Sequence, residues 1–199
     1  GSFQTIIPTI MQKRLFILAG CNGAGKTTSS FRILPQLLDC KEFVNADEIA
    51  RGLSPFQPEK VSLEAGRIML ARIHDLIKRG EDFAFETTLA TKSYSSLIKN
   101  AQDQGYFVSI VFFWLKSPEL AIERVKKRVT EGGHHIPEEV IKRRYHRGLI
   151  NLFKLYIDLA DYLLIFDNSG PDPKLIAEKE TKIKVIDVPT FETIKSFLS

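Results

Sequence analysis

Short apolar runs, separated by longer stretches with helical spacing, set the rhythm of this chain. Leu15-Phe16-Ile17-Leu18 is a run of strand length, and Thr28 to Leu38 after it reads as a helix. Glu42-Phe43-Val44-Asn45 predicts a second strand, running into Asp47 and a short helix. Ser54-Pro55-Phe56-Gln57-Pro58 is a loop. From Val61, apolar residues at Ala65, Ile68, Met69, Ile73, Leu76 and Ile77 keep helical spacing, and Gly80 after Lys78-Arg79 is a C-terminal stop. Phe83-Ala84-Phe85 predicts a third strand that ends at Glu86. A helix from about Ser93 to Gln104 leads to Phe107 to Leu115, near-continuously apolar as in a strand buried on both faces. Ser117-Pro118-Glu119 opens the next helix with a cap and a proline at its first position. Thr130 to Ile136 is a break containing glycine and histidine. Pro137-Glu138-Glu139 then starts a long helix with apolar positions Ile141, Tyr145, Leu149, Leu152, Tyr156 and Leu159. Tyr162 to Phe166 is a fifth strand, and Ile183 to Ile186 an edge strand. Strands alternating with helices predict an α/β fold, a parallel sheet covered on both faces. Ligands in such folds bind beyond the carboxyl ends of the strands, so the polar residues just after each strand carry the candidate chemistry.

After the first strand stands Gly20-Cys21-Asn22-Gly23-Ala24-Gly25-Lys26-Thr27, a full match to G-x-x-x-x-G-K-[ST] between a strand and a helix. The glycines let backbone N–H groups wrap a phosphate chain, Lys26 can reach the β and γ oxygens, and the Thr27 hydroxyl can ligand Mg²⁺. Gly20, Asn22, Gly23, Ala24, Gly25, Lys26, Thr27 and Thr28 are therefore the expected ATP-binding residues. A tight turn alone would not require lysine and threonine there. The chain lacks an N/T-K-x-D segment for reading guanine and an L-S-G-G-Q-like run, which argues against a GTPase switch and an ABC-type ATPase. At 199 residues it is too short for a helicase with two motor cores. Small P-loop kinases remain.

Strand two delivers Asp47 and strand three delivers Glu86-Thr87-Thr88. A kinase acting on a hydroxyl uses a carboxylate to accept the hydroxyl proton during in-line transfer, and Asp47 is the candidate; its alternative role is N-cap of the helix Glu48 to Leu53. Glu86 is placed to hold Mg²⁺ through water or to bind the acceptor with Thr87 and Thr88; its alternative is a strand-end carboxylate facing solvent. Asp167 also follows an apolar run, but Asp167-Asn168-Ser169-Gly170-Pro171 is so rich in turn formers that it reads mainly as a turn.

Composition adds one feature. Between Arg124 and Arg147 there are eight Lys or Arg against three Glu, a surplus that exceeds the whole chain's net charge of +4. A charge run is usually a solvated helix face, yet Arg144 stands beside the apolar stripe at i+3 from Ile141, and Arg128 at i+3 from Val125. Arginines facing inward near a phosphate cleft need an anionic partner. Two arginine-bearing helices joined by Gly132-Gly133 predict a lid, at about 124–147, in which Arg128 and Arg144 supply transition-state charge and Arg124 shares the nucleotide. Arg143 and Arg147 read as solvated, His134 and His135 as surface loop residues. Hydrophobic residues make up 44% of the chain, ample for one core. The longest apolar run, Ile110 to Leu115, is far below a membrane span, and nothing resembles a signal peptide. Cys21 and Cys40 make no disulfide framework, so a reducing cytoplasm is expected. Cys21 lies near Lys26 and a helix N-terminus, which would lower its pKa, but a small filler is the commoner role. Residues 1–10 precede an expected start at Met11 and read as tag or linker; 11–199 reads as one kinase domain.

With these residues in view, the chain resembles the zeta toxins, P-loop kinases of bacterial toxin–antitoxin systems. The resemblance rests on Gly20 to Thr27, Val44-Asn45-Ala46-Asp47, Phe85-Glu86-Thr87-Thr88-Leu89, Arg124 to Arg128, Gly132-Gly133-His134, Arg143-Arg144-Tyr145 and Asp167-Asn168-Ser169. It implies a five-stranded parallel core with a lid, and ATP-dependent phosphorylation of a UDP-N-acetylhexosamine on the sugar 3′-hydroxyl. It also implies Asp47 as base, Lys26 on the phosphates, lid arginines on the γ-phosphate, and a small helical antitoxin as partner. Two rivals stay open: a kinase of another metabolite with no toxin role, and a polynucleotide 5′-kinase using the basic segment. Against the latter, exposed aromatics for base stacking are not interleaved with that segment, because Phe112, Phe113 and Trp114 read as buried core.

Overall fold

The computed structural model describes residues 12–133 and 135–198, so the expectations for residues 1–10, Met11 and His134 lie outside the described residues. Five strands, β1 (Lys13–Ala19), β2 (Phe43–Val44), β3 (Phe83–Thr87), β4 (Tyr106–Trp114) and β5 (Tyr162–Asp167), form the parallel core. The sheet is wider than the expected five-stranded core and edge strand: the edge strand expected at Ile183 to Ile186 is present, and one further strand precedes it. β6 (Lys174–Lys179) and β7 (Ile183–Val185) continue it antiparallel, giving seven strands in the order β2-β3-β1-β4-β5-β6-β7. Only Ile176 and Ala177 of β6 are buried. A strand so sparingly covered carries few apolar residues, and its hairpin geometry closes it onto β5 without a crossover helix.

The helices fall close to the apolar periodicity. They are α1 (Lys26–Leu37), α2 (Ala46–Leu53), α3 (Ser62–Arg79), α4 (Tyr94–Asp103), α5 (Pro118–Thr130), α6 (Glu138–Asn151), α7 (Ile157–Leu159) and α8 (Val188–Ser196). Ala65, Met69, Ile73, Leu76 and Ile77 of α3 are buried, but Ile68 stands on the exposed flank of that stripe. Gly80 ends the helix in the left-handed conformation, its N–H on the Ile77 and Leu76 carbonyls. The long helix expected after Pro137 is interrupted: α6 passes through a π turn, Leu152–Tyr156, into α7. Leu15 to Ala19, Ile110 to Leu115 and Leu163 to Ile165 are almost wholly buried, so the core sits on both faces of the central strands. β1 lies between β3 and β4, where the strand order reverses, and the carboxyl ends of the five parallel strands open onto one edge.

Candidate active site

The loop between β1 and α1 is shaped by close approaches that only glycine permits. At Gly20 (φ +145°) a side chain would collide with the Phe113 carbonyl oxygen, and at Gly25 (φ +81°) it would begin 2.7 Å from Asn168 Nδ2. The loop therefore lies flush against β4 and the segment after β5. Cys21 is buried within it. Burial pushes its thiol up to about 11, and the charges of Lys26 and Arg124 only partly oppose this. The lowered pKa considered from sequence is thus reversed, because desolvation outweighs the neighbouring cations.

Lys26 is 6% exposed, its ammonium donating to the Cys21 carbonyl at 2.8 Å and standing 3.8 Å from Glu86 Oε1. Glu86 Oε2 accepts from the Thr27 hydroxyl at 2.8 Å and from Asn45 Nδ2 at 3.0 Å. Glu86 is consequently not a solvent-facing strand end. Asn45 is also the N-cap of α2, its Oδ1 accepting from the N–H groups of Asp47 and Glu48. The capping role considered for Asp47 belongs to Asn45, because the helix begins at Ala46 and leaves the Asp47 side chain in its first turn.

Asp47 and Glu86 line a cavity of about 270 Å³ together with Asn22, Gly23, Gly25, Lys26, Thr27, Thr28, Arg124 and Arg128. Glu48 and Arg51 of α2 complete the wall, and neither was singled out from sequence. For Arg51 the four-residue helical offset from Asp47 was the available signal; the one-residue offset of Glu48 gave none. Arg124 is held by the Asn168 and Ser169 carbonyls at 2.9 and 3.1 Å. Nε and Nη2 of Arg128 are buried without a hydrogen-bond partner. Buried nitrogens in that condition are costly unless an anion meets them. Arg144 reaches the loop indirectly, Nη1 donating to Asn22 Oδ1 at 3.0 Å. Burial holds its guanidinium below the ordinary arginine value; the Asp47 charge works against that, and the Arg143 charge adds to it.

Gly20 and Ala24 belong to the loop but are not among the residues that line the cavity. Thr87 and Thr88 do not line the cavity: the Thr87 hydroxyl accepts from the Leu89 N–H at 3.0 Å and bonds with Tyr94, and the Thr88 hydroxyl accepts from the Ala90 N–H. Asp167 accepts from the Ser169 N–H at 2.9 Å, as the turn composition implied. Arg143, Arg147 and His135 are exposed. Among the described residues, no group of three or more His, Cys, Asp or Glu converges to hold a metal. A second cleft of about 760 Å³ shares Arg51 and Arg128 with the first and is bordered by Phe56, 96% exposed, and His135.

The family model described as Zeta toxin matches residues 2–172. An uncharacterized protein of Haemophilus influenzae is 33% identical over 137 residues, which are 68% of this chain and 95% of that protein. Among solved structures, a chain of the AvrRxo1-ORF1:AvrRxo1-ORF2 complex with sulphate ions superposes with a TM-score of 0.77 at 18% identity, covering 94% of this chain and 65% of that one. The same complex with ATP gives 0.75. The PezAT chromosomal toxin–antitoxin system of Streptococcus pneumoniae gives 0.67 at 15% identity, covering 96% of this chain and 80% of that one. The chain thus spans about two thirds of the length of the AvrRxo1 chains, and at these identities the likeness shows a shared fold.

Proposed function

The chain belongs to the zeta toxin family, and from that premise we propose that it is an ATP-dependent kinase transferring the γ-phosphate to a hydroxyl of a small acceptor, a UDP-N-acetylhexosamine. The observation that carries this reading is the shared cavity: the phosphate loop, Arg51, Arg124, Arg128 and Asp47 face one volume of about 270 Å³. A donor phosphate and an acceptor hydroxyl meet there within reach of a carboxylate. The AvrRxo1 complex determined with ATP supports the choice of nucleotide.

Backbone N–H groups of the loop and the Lys26 ammonium receive the β and γ phosphates. Asp47 takes the acceptor proton as the hydroxyl oxygen bonds to phosphorus and the bond to the β-phosphate oxygen breaks. Arg128, whose buried nitrogens await an anion, meets the charge that spreads over the transferring oxygens, and Arg144 adds charge from behind Asn22. The Thr27–Glu86 pair fits Mg²⁺, being a hydroxyl and a carboxylate within 2.8 Å, both hard oxygen donors. When bound there, the ion would neutralise charge between the β and γ phosphates. The cleft beyond Arg51 and Arg128, with Phe56 on its wall, is the space for the acceptor. Helices α5 and α6 act as the lid, and a small helical antitoxin is the expected partner, as complexes among the structural neighbours support.

Phosphoryl transfer from labelled ATP to a panel of UDP-sugars, simple sugars, nucleosides and 5′-hydroxyl oligonucleotides tests the reading. UDP-N-acetylhexosamines should be the preferred acceptors, and Lys26→Ala should abolish transfer while the protein stays folded. Full turnover by Lys26→Ala would overturn the kinase assignment; preference for an oligonucleotide would move it to polynucleotide repair.

A further inference from the structure

Three elements meet at Asn168. Its side-chain Nδ2 donates to the Ala24 carbonyl inside the phosphate loop at 2.6 Å, across 144 residues of sequence. Its backbone N–H donates to the Trp114 carbonyl at the end of β4, and its own carbonyl accepts from Arg124 Nη1 on α5, both at 2.9 Å. Ser169 reinforces the junction, accepting from Arg124 Nη2 through its carbonyl and from the Lys116 N–H through its hydroxyl. The amide of Asn168 occupies the place where a side chain at Gly25 would begin. Glycine and asparagine are complementary halves of one contact.

We propose that Asn168 is a positioning residue for the nucleotide, fixing the phosphate loop through Ala24 and aiming Arg124 into the same cavity. A trans peptide holds its C=O antiparallel to the following N–H. Anchoring the Ala24 carbonyl therefore also fixes the direction of the Gly25 N–H, at a residue that lines the cavity. Arg124, clamped by two carbonyls, loses little further freedom when an anion arrives. Donors set in place before binding avoid the ordering cost that flexible ones incur. The strap after β5 thus serves the phosphates without touching them. This inference rests on the nucleotide-binding reading above.

Direct titration of MgATP into the wild type, Asn168→Ala and Asn168→Asp tests it, alongside steady-state transfer to the preferred acceptor. Alanine removes the donor; aspartate keeps the size and turns a carboxylate toward the Ala24 carbonyl, so it also serves should the alanine variant fail to fold. The ATP Kd should rise about tenfold in Asn168→Ala, equivalent to about 1.4 kcal/mol, and further in Asn168→Asp. The acceptor KM at saturating ATP should stay within about twofold, since positioning acts on the donor side alone. Unchanged ATP affinity in either folded variant overturns the inference. So does an equal rise in both constants with a lowered thermal midpoint, which marks general loosening. A wild type that binds no ATP removes the nucleotide reading itself, and this one with it.

Discussion

Glu86 answers three neighbours with two oxygens: Thr27 and Asn45 by hydrogen bonds and Lys26 by charge. Lys26 and Thr27 open α1 and Asn45 caps α2, so the carboxylate ties the start of one helix to the start of the other. Asn45 is the more unusual member, because its amide nitrogen serves Glu86 and its oxygen caps α2. Two substitutions separate its work from that of Asp47. Asn45→Ala should cost about 1 kcal/mol through the lost cap, lowering the thermal midpoint by about 2–4 °C in a chain of this size. Asp47→Asn leaves the cap in place. Its midpoint and ATP affinity should stay near wild type while single-turnover transfer falls by about 10²–10⁴. Near-normal transfer in that variant would pass the role of base to Glu86. Asp47 and Lys26 could be picked out from sequence because each occupies a set place after a strand. Asn45 could not be assigned its two tasks, since capping and a contact 41 residues away both leave only an asparagine.

Helix α6 joins the two sides of the site. It carries Arg144 toward Asn22, and one turn later Gly148 packs so closely that a side chain there would begin 2.5 Å from the Thr88 carbonyl. Asn151 donates to the Leu89 carbonyl at 2.7 Å, and the Tyr156 hydroxyl, beyond the π turn, to the Thr91 carbonyl at 2.6 Å. Leu89 holds φ +56° in that loop, and such a conformation persists in a branched residue only where its surroundings enforce it. The π turn re-aims the end of the helix so that Tyr156 meets the loop that follows Glu86. Gly148→Ala in an open helix would gain about 1 kcal/mol. Here the collision should reverse the sign, with a loss of about 1–3 kcal/mol in a urea titration and slower turnover as Arg144 shifts. A more stable variant would show that α6 does not bear on the loop. The stripe Ile141, Tyr145, Leu149 was legible because its period is helical. The π turn was not, since the four-residue step from Leu152 to Tyr156 fits an α turn as well as a π turn.

Across the whole molecule, burial decides the state of the ionisable core. Cys21 is pushed up to about 11 and Cys40 to about 12, both chiefly by desolvation. In each case the native state keeps its proton longer than the unfolded chain does. Above the ordinary thiol value of 9.0 the unfolded state therefore binds fewer protons, and stability falls as pH rises. The contribution of Cys21 is full below that value and is lost between it and about 11. Urea midpoints should hold steady up to that region and decline beyond it. Cys21→Ala should flatten the first part of the decline, and an unaltered profile would exclude the thiol as its source. The basic surplus is likewise settled by burial: Lys126, Lys127, Lys142, Arg143 and Arg147 are exposed, while Arg124, Arg128 and Arg144 are half-buried around the cavity. Phe112, Phe113 and Trp114 are buried, so they offer nucleic acid no stacking surface.

By itself the sequence determined what is encoded locally. The phosphate loop, the strands before Asp47 and Glu86, and the arginine-bearing helices each depend on residues within one turn or one strand of each other. Period and composition therefore reveal them. Tertiary structure decided the partnerships. That Glu86 gathers Lys26, Thr27 and Asn45, that Asn168 reaches Ala24, and that β6 folds back on β5 depend on chain segments brought together by packing. A side chain's identity states which bonds it can make, and the fold selects which of them it does make.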